Sequence, residues 1–187
     1  MDHYIELSLR PDPELSPAHV MAAVYAKLHR ELVRSDRADI GVSFPRAGDG
    51  RAGLGNTLRL HGNAVALGQL TESGWLDGMR DYVDAQGVQR VPEQCRYRRV
   101  SRVQAKSSPE RLRRRQMRRH GIDAQTAAAR VPDSARETLR LPYIRLGSGS
   151  TGQQFLLFIA HGPLQEQPTQ GQFNAYGLSQ QATIPWF

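Results

Sequence analysis

The chain has little cysteine and no long apolar run. Its 187 residues include one cysteine, Cys95, so no disulfide can form within the chain. That usage is typical of a reducing compartment, and the first residues lack the basic-then-apolar layout of a secretion signal. No apolar stretch approaches the roughly 18 residues that a membrane-spanning helix needs. We therefore expect a cytoplasmic protein with no membrane partner.

Groups of metal-ligating residues are also missing. The histidines are His3, His19, His29, His61, His120 and His161, and none of them form the HxH or HxxxH spacing that suits zinc. A single cysteine cannot make a thiolate cluster. The Gly-Ser-Gly-Ser-Thr-Gly run at 147–152 lacks the Gly-Lys-Ser/Thr of a Walker loop. The sequence therefore predicts no metal and no small-molecule cofactor.

Positive charge is concentrated in one segment and is carried by arginine. Only two of the 25 basic residues are lysines, and the net charge is +7. Residues 96–119 contain eleven basic residues against one acid, Glu110, a local balance of +10 that leaves −3 for the rest of the chain. Arginine can bind phosphate or a guanine edge through two hydrogen bonds, and it stacks on bases. This segment is therefore predicted to bind nucleic acid.

Part of the basic segment is predicted to be a helix, from Ser108 to His120, with a Ser-Pro-Glu start and a His-Gly stop. Five of its arginines share one face at i, i+3, i+4, i+7 and i+8. They are Arg111, Arg114, Arg115, Arg118 and Arg119, and Arg113 flanks them. Like charges at this spacing repel, and few apolar residues stabilise the helix, so a bound polyanion is favoured over a plain solvated face. A membrane surface fits less well, because the helix has no Trp/Phe/Leu face to insert.

Residues 1–94 alternate between predicted strands and helices. The strands are Tyr4–Arg10, Ile40–Phe44, Thr57–His61 and Val88–Val91; the helices are Ser16–Leu32, with Val20, Met21, Val24, Leu28 and Leu32 on its apolar face, and Ala64–Met79. This β-α-β-β-α-β order is that of a ferredoxin-like (RRM-like) domain.

Residues 95–187 are predicted to form a second α/β domain, which carries the arginine-rich helix and the Ser/Gly loop. Its other elements are a short helix at 123–130 and strands at 95–104, 143–146, 155–159, 172–178 and 183–187. The predicted fold class is therefore α+β, with a domain boundary near residue 95.

Five stretches of the sequence are together similar to one family. They are Val100–Ser107, Pro109–Arg115, Ser148–Gln153, Tyr176–Ser179 and Pro185–Phe187. On these motifs, over nearly its full length, the chain resembles the CRISPR-associated endoribonuclease of type I-F (Ypest) systems, which processes precursor CRISPR RNA. The resemblance implies a metal-independent cut at the 3′ base of the repeat hairpin, giving a 2′,3′-cyclic phosphate. It also implies two partners, the CRISPR repeat RNA stem-loop and the other subunits of the type I-F surveillance complex.

The resemblance implies roles for five catalytic residues. His29 is the expected general base, since a neutral imidazole accepts protons near neutral pH, and Tyr176 is expected to orient it. Ser148 is expected to hold the attacking 2′-hydroxyl, while Ser150 and Thr151 order the phosphate and ribose. From the residues alone, a lone helical histidine is more often structural, and a strand tyrosine and a Gly/Ser turn are equally compatible with a structural role.

Three more residues are expected to contact the base of the stem. Arg102 and Gln104 lie two apart in an extended segment, so their side chains point the same way, and these residue types pair with guanine and adenine. The resemblance implies that Phe155 stacks on the terminal base pair. From the residues alone a core position is favoured, because four apolar residues follow it.

Two other functions remain open at this point. One is a catalytically silent hairpin-binding protein of the same fold. The other is a basic DNA-binding regulator, because a helix enters the major groove of B-DNA more readily than that of continuous A-form RNA.

Overall fold

The computed structural model describes residues 1–48, 53–104, 109–132, 139–147, 149 and 152–187. In these residues the chain forms two β-sheets, whose described strand pairs are antiparallel, and four α-helices. The fold class is therefore α+β, as predicted. Contacts divide the chain into two compact units, residues 1–102 with 141–187, and residues 103–140. The division at residue 95 stays a prediction.

The first sheet lies in the larger unit. Its strands are β1 (His3–Leu9), β2 (Gly41–Ser43), β3 (Thr57–Gly62), β4 (Val83–Ala85) and β5 (Gln89–Arg90). The order is β2-β3-β1-β4, and β5 also pairs with β1. On β1, Ile5, Leu7 and Leu9 are buried, as the alternating pattern predicts.

Helix α1 (Pro17–Arg34) positions the candidate site. It begins after the N-cap Ser16, whose side chain accepts a hydrogen bond from the backbone N–H of His19. All five apolar residues that the spacing predicted to face the core are buried. His29 is half-buried at the margin of that buried face. The helix therefore packs against the core on one side and leaves His29 accessible.

The chain after β3 differs from the prediction. Helix α2 (Ala64–Glu72) ends well before Met79, because the chain turns at Ser73 and Gly74, where Gly74 has a φ of +68°. The fourth strand of the sheet is the short β4, which the pattern missed, and the predicted strand Val88–Val91 contains only the two-residue β5.

The second sheet also belongs to the larger unit, apart from the last residue of its first strand. Its strands are β6 (Arg96–Val103), β7 (Tyr143–Gly147), β8 (Gln154–Gln165) and β9 (Ile184–Trp186), in the order β7-β8-β6-β9. The strand predicted at 172–178 is wrong. Residues 174–178 form a turn, in which the Asn174 side chain accepts hydrogen bonds from the backbone N–H groups of Tyr176 and Leu178.

The core of the larger unit joins the two ends of the sequence. Phe173, Leu178 and Ile184 are buried in the same apolar cluster as the residues of α1 and β1. The backbone N–H of Phe173 donates to the Ala38 carbonyl at 3.0 Å, and that of Val42 donates to the Gly177 carbonyl at 2.9 Å.

The smaller unit contains helices α3 (Pro109–His120) and α4 (Ala124–Arg130). Both agree with the predicted helices to within a residue. Asp123 caps α4 by accepting a hydrogen bond from the Thr126 N–H at 2.7 Å. Among the residues that the structure describes, no helix is long and apolar enough to cross a membrane.

Candidate functional site

His29 and Tyr176 are distant in sequence but in contact in the fold. Their rings stack with centroids 4.0 Å apart and planes 8° from parallel. His29 lies on α1, and Tyr176 lies in the turn at 174–178. The turn therefore brings together two of the predicted catalytic residues.

A hydrogen bond from His29 to the same turn determines which ring nitrogen carries the proton. His29 Nδ1 lies 2.7 Å from the carbonyl oxygen of Ala175. Because a carbonyl oxygen only accepts hydrogen bonds, Nδ1 must be the protonated nitrogen. In the neutral ring the lone pair is then on Nε2, which is the arrangement that a general base requires.

A pocket of about 480 Å³ opens beside the two rings. One wall is the second half of α1, and the other is formed by the end of β7 and the start of β8. It is lined by Ala26, His29, Arg30, Val33, Arg34, Leu146, Gly147, Gly149, Phe155 and Tyr176. Three predicted site residues, His29, Phe155 and Tyr176, therefore share one pocket.

Arg102 is also close to this group. Its guanidinium carbon lies 5.8 Å from the ring centroid of Phe155 and 5.7 Å from that of Tyr176, within the range of cation–π contacts. Its Nε is buried and has no hydrogen-bond partner among the described residues. Gln104 is exposed, one residue past the end of β6.

Three of the predicted catalytic residues, Ser148, Ser150 and Thr151, lie outside the described residues. Their sequence neighbours Gly147 and Gly149 line the pocket.

A larger pocket, of about 730 Å³, lies along the first half of α1 and along β7, where it shares Leu146 and Gly147 with the first. It holds none of the predicted site residues that the structure describes. The histidine that lines it, His19, has its Nδ1 3.0 Å from the N-cap hydroxyl of Ser16, so it contributes to the helix start.

The five arginines predicted to share one face of α3 are all exposed. The side chains of Leu112, Arg113 and Gln116, on the other side of the helix, are half-buried. Arg113 holds the helix pair together, because its Nε donates to the Val131 carbonyl at 2.8 Å. The prediction of a single arginine face is confirmed. Arg113 lies outside that face and makes a structural contact with Val131.

Two other histidines lie in the larger unit, one buried and one half-buried. His61 lies 2.8 Å through its Nε2 from the Ser43 hydroxyl, and burial lowers its pKa to about 3. Burial, and next the charge of Arg98, lower the pKa of His161 to about 4. Such groups stay neutral near pH 7 and serve packing rather than proton transfer.

Two residues that the sequence did not single out also contact the turn. The fully buried Tyr25 donates its hydroxyl to the Tyr176 carbonyl at 2.6 Å, and Asn174 organises the turn itself. Tyr25 lies on the apolar side of α1, where its pattern indicates only a core residue. The residues that the structure describes contain no cluster of three or more His, Cys, Asp or Glu side chains that could hold a metal ion.

Residues 4–187 match the family described as CRISPR-associated protein (Cas_Csy4). The chain belongs to this family. It is 49% identical, over all of both chains, to the CRISPR-associated endonuclease Cas6/Csy4 of Pseudomonas aeruginosa (strain UCBPP-PA14). It is 46% identical, again over all of both chains, to the protein of the same name from Escherichia coli (strain UTI89 / UPEC).

Membership confirms the family that the motifs predicted. It covers the residues of both units, since the match runs from Tyr4 to Phe187. Membership in the family does not by itself assign roles to single residues of this chain. Those roles are inferred from the pocket around His29 and from the arginine face of α3.

Proposed function

We propose that this chain is an endoribonuclease that binds the hairpin of a CRISPR repeat and cuts precursor CRISPR RNA at the 3′ base of the stem. The observation that carries the proposal is the hydrogen bond from His29 Nδ1 to the Ala175 carbonyl, which leaves a basic nitrogen on a ring that lines a pocket. The two relatives named as CRISPR-associated endonucleases, identical at 46–49% of positions, support the same activity.

The reaction uses the RNA itself as the nucleophile. His29 Nε2 takes the proton of a ribose 2′-hydroxyl, and that oxygen attacks the adjacent phosphorus. The bond from phosphorus to the 5′-oxygen of the next nucleotide breaks, this oxygen takes a proton from water, and the protonated His29 returns its proton to the resulting hydroxide. The products are a 2′,3′-cyclic phosphate and a 5′-hydroxyl. Because the attacking oxygen is already next to the phosphate, the step needs no metal-bound water.

The other catalytic roles follow the family resemblance. Ser148 holds the attacking 2′-hydroxyl, and Ser150 and Thr151 order the scissile phosphate and ribose. Support comes from Gly147 and Gly149, on either side of Ser148 in the sequence, which line the pocket together with His29. Tyr176 orients His29 through the stacked contact between their rings.

Three residues select the base of the stem. Phe155 stacks on the terminal base pair, and it lines the pocket while remaining half-buried. Arg102 pairs with a guanine and Gln104 with an adenine. The buried Nε of Arg102, without a hydrogen-bond partner in the described structure, supports a polar ligand at this point, because a buried unpaired donor is unfavourable by about 1–3 kcal/mol.

The arginine face of α3 binds the phosphates of the hairpin. Arg111, Arg114, Arg115, Arg118 and Arg119 are all exposed, and α3 contains one acid, Glu110. The binding affinity should therefore fall steeply with salt concentration.

The strand order β2-β3-β1-β4, with two helices between the strands, supports a ferredoxin-like arrangement for residues 1–94. Residues 95–187 then carry the RNA-recognition elements.

The product hairpin stays bound, and the protein joins the surveillance complex of its CRISPR system in the cytoplasm.

The test is cleavage of the cognate repeat RNA in EDTA. We expect the wild-type protein to cut at one position and leave a cyclic phosphate, and His29→Ala to bind the hairpin without cutting it. His19→Ala, on the same helix but outside the 480 Å³ pocket, is the matched control and should cut normally. Tight binding without cleavage by the wild type would instead identify a hairpin-binding protein. A preference for duplex DNA would identify a DNA-binding regulator.

A further inference from the structure

The turn at 174–178 presents two successive carbonyl groups to α1. The Ala175 oxygen accepts a hydrogen bond from His29 Nδ1 at 2.7 Å, and the Tyr176 oxygen accepts one from the Tyr25 hydroxyl at 2.6 Å. Tyr25 and His29 are four residues apart, so they occupy adjacent turns on the same side of the helix. Helix and turn are therefore joined by two parallel contacts, one of which involves the proposed base.

Asn174 fixes the turn from within. Its Oδ1 accepts hydrogen bonds from the N–H groups of Tyr176 at 2.9 Å and Leu178 at 3.2 Å. The backbone N–H of Asn174 donates to the Leu178 carbonyl at 2.9 Å, and the backbone carbonyl of Asn174 accepts from the Gly177 N–H at 2.8 Å. These four bonds leave the peptide groups of Ala175 and Tyr176 little freedom to rotate.

Tyr25 is built into the core on the other side of the contact. Its side chain is fully buried, and its ring lies 5.8 Å from that of Phe44. Burial raises the pKa of its hydroxyl well above the ordinary value, so the group stays protonated and remains a hydrogen-bond donor. A buried hydroxyl without an acceptor is unfavourable, so the bond to the Tyr176 carbonyl holds the turn against the helix.

We propose that Tyr25 and Asn174 are positioning residues that set the tautomer of His29. They hold the Ala175 carbonyl where it accepts the Nδ1 hydrogen, and the lone pair is thereby kept on Nε2. The inference rests on the proposed role of His29 as the general base. In water the neutral histidine ring favours the proton on Nε2, which would block that role, so the carbonyl must be held in place for the base to work.

Neither positioning residue is among the described residues that line the 480 Å³ pocket. Their loss should therefore change the rate of cleavage and not the affinity for RNA. Tyr25→Phe keeps the ring in the core and removes only the hydroxyl. Asn174→Ala removes the oxygen that accepts from two backbone N–H groups. Asn174→Asp keeps an accepting oxygen in the same place, so it should cut at the wild-type rate.

The first measurement uses the full chain without RNA. The ¹⁵N shifts of the His29 ring should identify Nδ1 as the protonated nitrogen in the wild type and in Asn174→Asp. In Tyr25→Phe and Asn174→Ala they should move toward a mixture of tautomers. Tyr4→Phe is the matched control, because the Tyr4 hydroxyl bonds to Gln89 at an exposed position, and its His29 shifts should equal those of the wild type.

The second measurement is single-turnover cleavage of repeat RNA. We expect Tyr25→Phe and Asn174→Ala to cut about tenfold more slowly or worse, the scale on which a misplaced catalytic group acts, with unchanged affinity for a hairpin carrying 2′-deoxyribose at the cut. Unchanged ring shifts and rates in both variants would overturn the proposal, as would a wild-type ring protonated on Nε2. Should Asn174→Ala not fold, the isosteric Tyr25→Phe decides alone.

The two readouts also separate this inference from the proposed function. A wild-type protein that fails to cut RNA, yet has the Nδ1 proton and moves toward a mixture of tautomers in both variants, supports the tautomer control and overturns the enzymatic role. If the wild type cuts RNA but the His29 ring shifts are the same in both variants, the enzymatic role is supported and the tautomer control is overturned.

Discussion

The ring of Tyr176 covers one face of the His29 imidazole, with ring centroids 4.0 Å apart. The contact is made by the ring faces, so it depends on a flat aromatic side chain rather than on the phenol hydroxyl. We expect Tyr176→Phe to cut repeat RNA at close to the wild-type rate. Tyr176→Ala should be about tenfold slower or worse, because the imidazole loses the surface that orients it. Single-turnover rates decide, and a Phe variant as slow as the Ala variant would assign the role to the hydroxyl.

Arg115 offers a test of the proposed phosphate contacts. It is exposed on the arginine face of α3, so Arg115→Ala should weaken hairpin binding and lower the slope of log Kd against log salt by about one. The matched control is Arg80→Ala, which removes another exposed arginine, one that pairs with Asp77 in the larger unit. Binding measured over a range of salt concentrations gives both slopes. An unchanged slope for Arg115→Ala would exclude a phosphate contact there.

Arg113 lies on the same helix and should behave differently. Its Nε donates to the Val131 carbonyl, so Arg113→Ala should loosen the pairing of α3 with α4 by about 1 kcal/mol. Faster amide hydrogen exchange in α3 and α4 would reveal this loss. Arg114→Ala, which replaces an exposed neighbour, should leave the exchange rates unchanged.

These contrasts show where sequence patterns were sufficient. The spacing of apolar residues predicted α1 and its buried face, and the spacing of arginines predicted the exposed face of α3, because both helices follow a regular period. The pattern failed at the end of α2. The apolar spacing continues to Met79, but the helix ends earlier because the chain turns at Gly74, which has a left-handed conformation. It also failed at 172–178, where a side-chain amide replaces strand pairing.

The candidate site was predictable only in part. His29 and Tyr176 could be named from the family motifs, but no local pattern indicates that their rings stack. Tyr25 was not predictable, because a tyrosine among apolar helix positions is typical of a core residue. Its role depends on a carbonyl that lies far along the chain, and such contacts are made by the tertiary fold.

The lowered pKa values of two histidines make stability depend on pH. His61 has a folded-state pKa of about 3 against 6.5 when exposed, and His161 one of about 4. Each depressed pKa contributes stability that is complete above pH 6.5 and is lost as the pH falls toward the folded value. Between these limits, protonation of His61 should lower the free energy of unfolding by about 1.4 kcal/mol for each pH unit that the pH falls, and the half-buried His161 should add a smaller loss.

The variant His61→Gln tests this dependence. It should be less stable than the wild type at pH 7, since it disturbs a packed site beside Ser43. Its stability should nevertheless fall less steeply between pH 6 and pH 4.5, because one titrating group is gone. Urea unfolding at several pH values gives the two slopes, and parallel slopes would contradict the assignment to His61.

Gly177 sets the shape of the turn that holds His29. Its φ is +66°, and an added Cβ would fall 2.6 Å from Val42 Cγ1. Gly177→Ala should therefore lower the free energy of unfolding by about 1–3 kcal/mol and slow cleavage as well. Gly68→Ala is the control, because a Cβ there meets no atom within 4 Å and alanine favours a helix by about 1 kcal/mol. Gly177→Ala should lower both the thermal unfolding temperature and the cleavage rate. Gly68→Ala should raise the unfolding temperature and leave the cleavage rate unchanged.

The core that joins both ends of the sequence has a consequence for synthesis. His29 leaves the ribosome before the turn that orients its ring, since His29 and Ala175 are 146 residues apart, and before Phe173 and Ile184 of the shared apolar core. A nascent chain therefore carries the proposed base without its tautomer control, and we expect the site to assemble only after translation of residues 173–184. Repeat transcripts would then encounter the proposed cutting activity only from chains translated beyond residue 184, even when translation and transcription are close in space.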